Sequence, residues 1–285
     1  MAPLGAVAST APGLGTATSF AVLAGQTVTN TGSTTITGDL GVSPGTAVTG
    51  APTVNGATHT GNDPVAVSAQ NDLTTAYNNA ASSPCDFDET GKNLGGQTLT
   101  PGTYCQSTAP TLTGTLTLSG NGVFILKAGS TLVTGSGATV QLINGAQACN
   151  VFWQVSSSAT LGTTTTFVGS ILALTDISLL TGATIEGRAL ARNGQVSLDS
   201  NQVTKPATCN AATVAGPSPT PSPSSSAIPA ATPSSTASTT PRIPRAGAGP
   251  GSPGSPWIPA LLMAAVSATC AVGVRISARS RRQVP

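Results

Sequence analysis

The feature that most limits the fold of this chain is a set of short runs in which threonine alternates with apolar residues. The clearest are Thr27-Val28-Thr29, Thr35-Ile36-Thr37 and the segment 112–118 (LTGTLTL). This period of two predicts β-strands that bury one face and expose the other. A related unit recurs at irregular intervals, at Ser130-Thr131-Leu132, Ala138-Thr139-Val140, Ala159-Thr160-Leu161 and Ala183-Thr184-Ile185. Short strands that recur between Gly, Ser and Asn turns predict the coils of a β-solenoid, with a β-sandwich as the alternative.

The scarcity of charge excludes several classes of protein. Charged residues make up 7% of the 285 residues, against about 25% in an average soluble protein. Nucleic-acid binders and helical bundles need many more Lys, Arg or Glu side chains. The single histidine, His59, argues against a histidine metal site or a Ser-His-Asp triad. The acidic stretch 86–89 lacks the EF-hand pattern, so we expect no metal and no cofactor.

One segment departs from the strand pattern. Asp63-Pro64 combines a favoured N-cap residue with proline at the first helical position. Apolar residues then follow at helical spacing: Val65, Ala69, Leu73, Ala76 and Ala80. The sequence predicts one helix over roughly 64–81, packed with this small apolar face against the strands.

Four cysteines precede the C-terminal part of the chain: Cys85, Cys105, Cys149 and Cys209. Their separations do not resemble a zinc site. An even number in an exported domain favours two disulfides. We prefer Cys85–Cys105, which fastens an insertion, and Cys149–Cys209, which fastens the final strand, although four cysteines allow three pairings.

The C-terminal part has a different composition. Twelve of the 22 prolines lie between Pro217 and Pro259, mixed with Ser, Thr, Ala and Gly, which predicts a disordered stalk over about 210–256. The uncharged run 257–274 then predicts a single transmembrane helix, with a buried helix as the alternative. Four arginines in 275–285 predict a cytoplasmic tail.

The two ends of the chain carry different charge. Up to Lys205 there are five basic and nine acidic residues, a net charge of 5 − 9 = −4, and the chain beyond Lys205 holds six arginines and no acid. Ala6-Val7-Ala8 has the form of a signal-peptidase site. We therefore interpret 1–13 as an N-terminal arm with the remnant of a signal peptide, and expect an exported protein. The segment 243–247 resembles a degenerate sortase signal, but we favour membrane anchoring.

Four longer segments are informative as whole motifs: LGTATSFAVLAGQTVTNTGSTTITGDLGVSPGTAVTG (14–50), NDLTTAYNNAA (71–81), LGGQTLTPGTYC (94–105) and the stretch 122–204, which begins GVFILKAGSTLVTGSGATV. Together they resemble the microbial ice-binding protein family. The resemblance runs through most of the segment 14–204, in family order. It implies a mainly β fold over 14–209: a right-handed, discontinuous, triangular β-solenoid with one long helix alongside, in which N-terminal and C-terminal coils stack out of sequence order.

The resemblance also implies a site. In this family one flat face of the solenoid binds ice and bears motifs of the form T-A/G-x-T/N. The segment 181–184 (TGAT) matches this form and 134–137 (TGSG) matches its first half. These motifs give Thr181, Thr184 and Thr134 as candidate ice-binding residues. Thr160, Thr163 and Thr165 are further candidates outside the two motifs.

These features together predict a non-enzymatic protein of the cell surface that adsorbs to an ice crystal through a threonine-rich face. We expect it to be monomeric and held outside the cell by its C-terminus. The alternative is a surface adhesin or structural module that uses the same fold without binding ice. A solenoid enzyme acting on carbohydrate is a third hypothesis, because solenoids can also carry paired carboxylates.

Overall fold

The computed structural model describes residues 9–206. Within these residues, seven strands precede the α-helix: β1 Phe20–Ala24, β2 Thr27–Thr31, β3 Thr35–Thr37, β4 Asp39–Val42, β5 Ala47–Thr49, β6 Thr53–Asn55 and β7 Thr58–Thr60. Helix α1 is Pro64–Ser82. Fifteen strands follow: β8 Phe87–Asp88, β9 Thr98–Leu99, β10 Gly102–Gln106, β11 Thr111–Leu112, β12 Thr115–Ser119, β13 Phe124–Ala128, β14 Leu132–Thr134, β15 Thr139–Ile143, β16 Val151–Val155, β17 Ala159–Leu161, β18 Thr166–Ala173, β19 Ile177–Leu179, β20 Thr184–Ala191, β21 Val196–Asp199 and β22 Gln202–Thr204. Short 3₁₀ turns lie at Gly15–Ser19 and Ala148–Asn150.

These strands form three parallel ladders, and each coil of the chain contributes in turn to all three. The first face runs β8-β10-β13-β16-β18-β20-β1-β4-β7. The second face runs β11-β14-β17-β19-β21-β2-β5. The third face runs β9-β12-β15-β18-β20-β22-β3-β6. The long strands β18 and β20 belong to two faces because each turns a corner at a glycine, Gly169 and Gly187, which are paired in register.

The coils stack out of sequence order, as the family resemblance implies. Strand β2, near the N-terminus, pairs with β21 through Val28 and Val196. Strand β3 likewise pairs with β22. The first coils of the chain are therefore added to its last coils, and β7 and β8 lie at opposite ends of the first face.

Helix α1 connects those two ends. Nine strands span about 38 Å at ~4.8 Å per step, and a helix of 19 residues spans about 28 Å. The helix thus crosses most of the first face. The predicted start is confirmed: the carboxylate of Asp63 accepts the backbone N–H of Val65 at 2.8 Å. The predicted end differs from the observed one by a single residue.

The buried stripe of the helix differs from the predicted one at its first position. Its buried residues are Ala66, Ala69, Leu73, Ala76, Tyr77 and Ala80. They pack against apolar residues of the first face, including Leu23, Phe152 and Leu190. Val65 is 42% exposed, so its assignment to the buried face was wrong. Ala66 continues the stripe instead, because its separation of three positions from Ala69 keeps the two on one side of the helix.

Two kinds of packing hold the coils together. Inside the solenoid, the inward residues of successive strands form one apolar column that includes Trp153, Phe167 and Ile185. Outside the first face, the helix closes a second apolar cluster. Phe152 and Trp153 are both buried, one in each cluster. Because apolar side chains fill the interior, the outward residues of the second and third faces rest on a rigid base.

One predicted disulfide is present. Cys85 and Cys105 are bonded, with a Cα–Cα distance of 5.8 Å. The bond joins the segment after α1 to β10 and so fastens the insertion to the end of the solenoid. Cys149 is buried in the 3₁₀ turn Ala148–Asn150. Its predicted partner Cys209 lies outside the described residues, as do the predicted stalk, the predicted transmembrane segment 257–274 and the predicted cytoplasmic tail. Within residues 9–206, no helix is long and apolar enough to span a membrane.

A carboxylate on α1 holds the N-terminal turn in place and gives a prediction for pH dependence. Asp72 accepts hydrogen bonds from the hydroxyl and the backbone N–H of Thr16, both at 2.7 Å. These two bonds lower the pKa of Asp72 below its ordinary value of 3.8. A carboxylate whose pKa is lower in the folded state stabilises the protein above its unfolded pKa and loses that contribution as pH falls through the folded pKa. We expect Asp72→Asn to lower the melting temperature at pH 6 and to lower it much less at pH 2.5. Thermal unfolding of both proteins at the two pH values measures this, and an equal loss at both would contradict it.

Candidate functional site

The second face carries a straight row of small outward side chains, which we call the second-face row. Each strand of the face contributes one member, paired in register with the next. In spatial order the row is Thr111, Val133, Thr160, Ser178, Ser197, Thr29 and Thr49. Seven members at ~4.8 Å per coil make a row about 29 Å long.

The hydroxyl groups of this row are available to solvent. All seven side chains are exposed or partly exposed. Within residues 9–206, none of the six hydroxyls forms a hydrogen bond with another protein group. The residues that alternate with them point inward and are apolar, for example Ile177 and Val196 at 0% exposure. The row therefore presents unsatisfied hydroxyls at a fixed spacing.

Apolar groups lie among these hydroxyls. Val133 is 41% exposed and Leu180 is 44% exposed, two of the few large apolar side chains on the surface of residues 9–206. The carboxylates at the edges of the face are engaged: Asp176 accepts the backbone N–H of Gln195 at 2.9 Å, and Asp199 accepts the hydroxyl of Thr181. The centre of the second face is therefore uncharged and mixes methyl groups with hydroxyls.

The third face carries a comparable row, which we call the third-face row. In spatial order it is Thr115, Thr139, Thr166, Thr184, Gln202, Thr35 and Thr53, again paired in register. The position two residues further along each strand is more varied, since it includes the exposed Glu186 and the buried Val168. The 3₁₀ turn Ala148–Asn150 packs on β18 there. The third face therefore has one row in which the residue type repeats, and beside it a set of positions that differ in residue type and burial.

The corner between these two faces repeats from coil to coil. Its backbone takes positive φ at Gly137, Thr164, Gly182, Ser200 and Gly32. Hydrogen bonds such as Gly182 N–H to Asp199 O at 3.1 Å stack the corners in register. Threonine hydroxyls here have protein partners: Thr163 donates to Ser136 Oγ at 2.8 Å. The corner is therefore a rigid edge to the second face.

The structure divides the six predicted ice-binding residues among four places. Thr160 lies in the second-face row and Thr184 in the third-face row. Thr163 and Thr181 lie at the corner. Thr134 and Thr165 are 3% and 1% exposed, so they cannot contact an external surface.

The two buried threonines are structural. Their hydroxyls are 2.9 Å apart, and Thr134 Oγ1 also accepts the backbone N–H of Gly162 at 2.8 Å. Thr165 Oγ1 donates to Gly135 O at 3.2 Å. These bonds satisfy buried polar groups at the corner. Leu132, two positions before Thr134, points inward, so the strand period already required Thr134 to point inward as well.

Most of the second-face row was not predicted. Thr29, Thr49, Thr111, Ser178 and Ser197 were absent from the candidate set because no local motif distinguishes them. Their signal is the outward position of each short alternating run, such as Thr29 in the run 27–29. It becomes visible only when coils from both parts of the chain are aligned. In residues 9–206 no group of three or more His, Cys, Asp or Glu residues could hold a metal ion.

Comparison with known proteins gives the family. The model of the Ice-binding-like family matches residues 22–204. An ice-binding protein of Nostoc sp. (strain HG1) is 53% identical over 197 residues, covering 67% of this chain and 72% of that protein. An ice-binding protein of Flavobacterium frigoris is 36% identical over 211 residues, covering 68% and 76%.

Solved structures agree with this assignment. The crystal structure of an ice-binding protein from an Antarctic biological consortium superposes with a TM-score of 0.68 at 46% identity, covering 72% of this chain and 95% of that one. That of the Antarctic ascomycete Antarctomyces psychrotrophicus gives 0.68 at 40% identity, covering 70% and 100%. The family model, the relatives and the superposed folds all cover the same solenoid, and the chain belongs to the Ice-binding-like family.

Proposed function

We propose that this chain binds ice and that the second face is the surface that adsorbs to the crystal. The observation that carries this proposal is the second-face row: six hydroxyls in register, without protein partners among residues 9–206, on an uncharged face. Relatives at 53% and 36% identity are named ice-binding proteins. Ice, the ligand in the names of these relatives, is therefore the ligand that we assign to the row.

The geometry of the row suits an ordered layer of water. From Thr160 to Thr49, neighbouring hydroxyls are ~4.8 Å apart, too far to bond directly but close enough for one water molecule to bridge them. Methyl groups of Thr and Val133 lie between these sites and restrict where the water can sit. A charge would hold its own hydration shell against the crystal, so the uncharged centre favours adsorption. The coils are already rigid, and little conformational entropy is lost on binding.

Enzymatic function has no comparable support on this surface. Its carboxylates Asp176 and Asp199 lie at opposite edges of the face and are hydrogen-bonded to groups of the protein. We therefore assign no catalytic residue and no cofactor, and the ligand is a crystal surface rather than a small molecule.

The test is whether the full chain modifies ice growth. We expect thermal hysteresis, faceted crystals and inhibition of ice recrystallisation at micromolar protein. The control is the same chain after heat unfolding under reducing conditions, which should lose all three effects. A folded, disulfide-bonded protein that leaves crystal growth unchanged would contradict the proposal.

We also propose that the solenoid domain spans 14–209 and is exported, with Cys149 paired to Cys209 and the segment 257–274 anchoring it to the membrane. The bond Cys85–Cys105 supports an oxidising compartment, and the arginines after 274 support a cytoplasmic tail. Protease treatment of intact cells would release the domain from the envelope if this topology is correct. Resistance of the domain in intact but not in lysed cells would exclude it.

A further inference from the structure

The outward side of the first face changes in chemistry where α1 ends. Leu190 and Leu172 lie beneath the helix and belong to its apolar cluster. The next outward positions in the same register are Gln154, Lys127 and Cys105. The strands β16 and β13 therefore present polar side chains just beyond the apolar surface that the helix covers.

A cavity of about 460 Å³ lies over this polar part of the first face. Gln154 and Lys127 line it from the strands, Tyr77 lines it from α1, and Asp88 lines it from the segment after the helix. Sites for small ligands have volumes of about 300–1,000 Å³, so this cavity is large enough for one. It lies on a different face from the second-face row.

Both walls of the cavity are held by bonds of the protein. Lys127 Nζ donates to Ala81 O at 2.7 Å and to Ser83 O at 2.8 Å, which fixes the end of α1. The disulfide Cys85–Cys105 lines the cavity and fixes the segment that follows the helix. A ligand therefore meets a site that needs little ordering on binding.

Hydrogen-bonding groups at the floor of the cavity are available to a ligand. Gln154 is 3% exposed; its Nε2 donates to Ser156 Oγ at 3.2 Å, and its Oε1 has no partner among residues 9–206. Ser156 Oγ accepts that bond and keeps its own O–H as a donor. Lys127 uses two of its three N–H donors on carbonyl oxygens of the protein. One acceptor and two donors thus lie on two adjacent strands and the turn after them.

The charges around the cavity do not select an ion. Among residues 9–206, Lys127 and Asp88 are the charged side chains that line it, and their charges are opposite. Both already have partners in the protein, since Asp88 Oδ1 accepts the backbone N–H of Thr90 at 2.9 Å. A polar ligand without net charge therefore fits this lining better than an anion or a cation.

We propose that this cavity binds a neutral oligosaccharide. A sugar hydroxyl can donate one hydrogen bond and accept two, so neighbouring hydroxyls can donate to Gln154 Oε1 and accept from Ser156 and Lys127. The apolar C–H side of the ring packs against the wall formed by Tyr77 and Ala81. Because the cavity and the second-face row are on different faces, the protein can hold a polysaccharide while it is adsorbed to ice. The inference does not take ice as the ligand and stands even if the second face does not bind ice.

The experiment titrates the full chain with maltotriose, cellotriose and mannotriose by isothermal titration calorimetry, and with glycine as a small ligand that carries two opposite charges. Gln154→Leu removes the free acceptor at similar volume, and Ser107→Trp places a ring at the exposed rim of the cavity. The matched control is Gln141→Leu, the same change at an exposed position of the third face. Circular dichroism establishes that each variant is folded.

We expect at least one trisaccharide to bind saturably at one site, and each cavity variant to weaken that binding about tenfold or more. The control should bind as the original chain does, and Gln154→Leu should keep full thermal hysteresis. If no trisaccharide binds the folded chain, the proposal is overturned. If either folded cavity variant binds as tightly as the original chain, the sugar lies elsewhere and the proposal is wrong for this cavity. Binding of glycine without any trisaccharide would show that Lys127 and Asp88 select a charged ligand, which also overturns it. If Gln154→Leu does not fold, Ser107→Trp decides.

Discussion

Replacing Thr160 and Ser178 together by tyrosine is expected to lower thermal hysteresis at least tenfold at equal protein concentration. The two residues are neighbours in the second-face row, paired in register on β17 and β19. A phenol ring there stands several ångströms above the face, more than the diameter of one water molecule. Because the coils are rigid and the crystal is flat, the rest of the row cannot approach the ice on either side of the rings. The loss therefore affects the whole row, not two contacts alone.

The same change should leave the fold intact. Both side chains point to solvent without hydrogen-bond partners among residues 9–206, and substitutions at such positions usually alter stability by less than about 0.5 kcal/mol. A melting temperature within about 2 °C of the original chain would separate lost adsorption from lost structure. Ser68→Tyr on α1 is the matched control and should keep full activity. Full hysteresis in the double variant would show that the second face does not touch ice.

Conservative changes at Thr160 separate the contributions of its methyl group and its hydroxyl to thermal hysteresis. Thr160→Val keeps the shape and removes the hydroxyl, whereas Thr160→Ser keeps the hydroxyl and removes the methyl. If the methyl group mainly restricts the water layer, Val should retain more hysteresis than Ser. The opposite order would assign the larger role to the hydroxyl anchor.

Local features made parts of the fold predictable from the sequence. The helix was predictable because Asp63-Pro64 is a strong start signal that depends on adjacent residues alone, and its N-cap bond is present. Cys85–Cys105 could be preferred because the two cysteines bracket one insertion. Alternation in runs such as 35–37 indicated the strands, since each short run has one buried and one exposed side.

Which residues share one face was less predictable, because the register between neighbouring strands depends on segments that are far apart in the sequence. The sequence interval from Val133 to Thr160 is much longer than that from Thr160 to Ser178, although each pair is adjacent in the second-face row. No fixed period therefore identifies the members. A shift of one position exchanges the inward and outward sides of a strand. That is why Thr134 and Thr165, which resemble Thr160 in sequence, lie inside the corner. The pairing of β2 with β21 is set by tertiary packing, and only the family resemblance indicated it.

Trp153→Ala is expected to destabilise the solenoid by about 3–5 kcal/mol. Trp153 is 2% exposed and lies 4.8 Å from the ring of Phe167 between centroids. Its indole N–H donates to the carbonyl of Val168 at 3.0 Å, at the buried point where β18 approaches its corner. The truncation removes a large side chain from the centre of the interior column and leaves that carbonyl without its partner. Both effects act on the coil that also carries Thr160 and Thr166.

The measurement is thermal or denaturant unfolding of the full chain, with Trp153→Phe as the matched variant. Phenylalanine keeps most of the apolar volume and loses the hydrogen bond, so we expect a smaller loss, of about 1–2 kcal/mol. The alanine variant should melt on the order of 10 °C lower than the original chain but still be folded at the temperature of melting ice, where ice assays are made. Under those conditions it should retain more thermal hysteresis than the double tyrosine variant, because its second-face row keeps the same side chains. If the alanine variant is as stable as the original chain, the interior column tolerates a large cavity. The rigidity of the second-face row and the third-face row would then come from the backbone hydrogen bonds between strands and not from the packing of the interior.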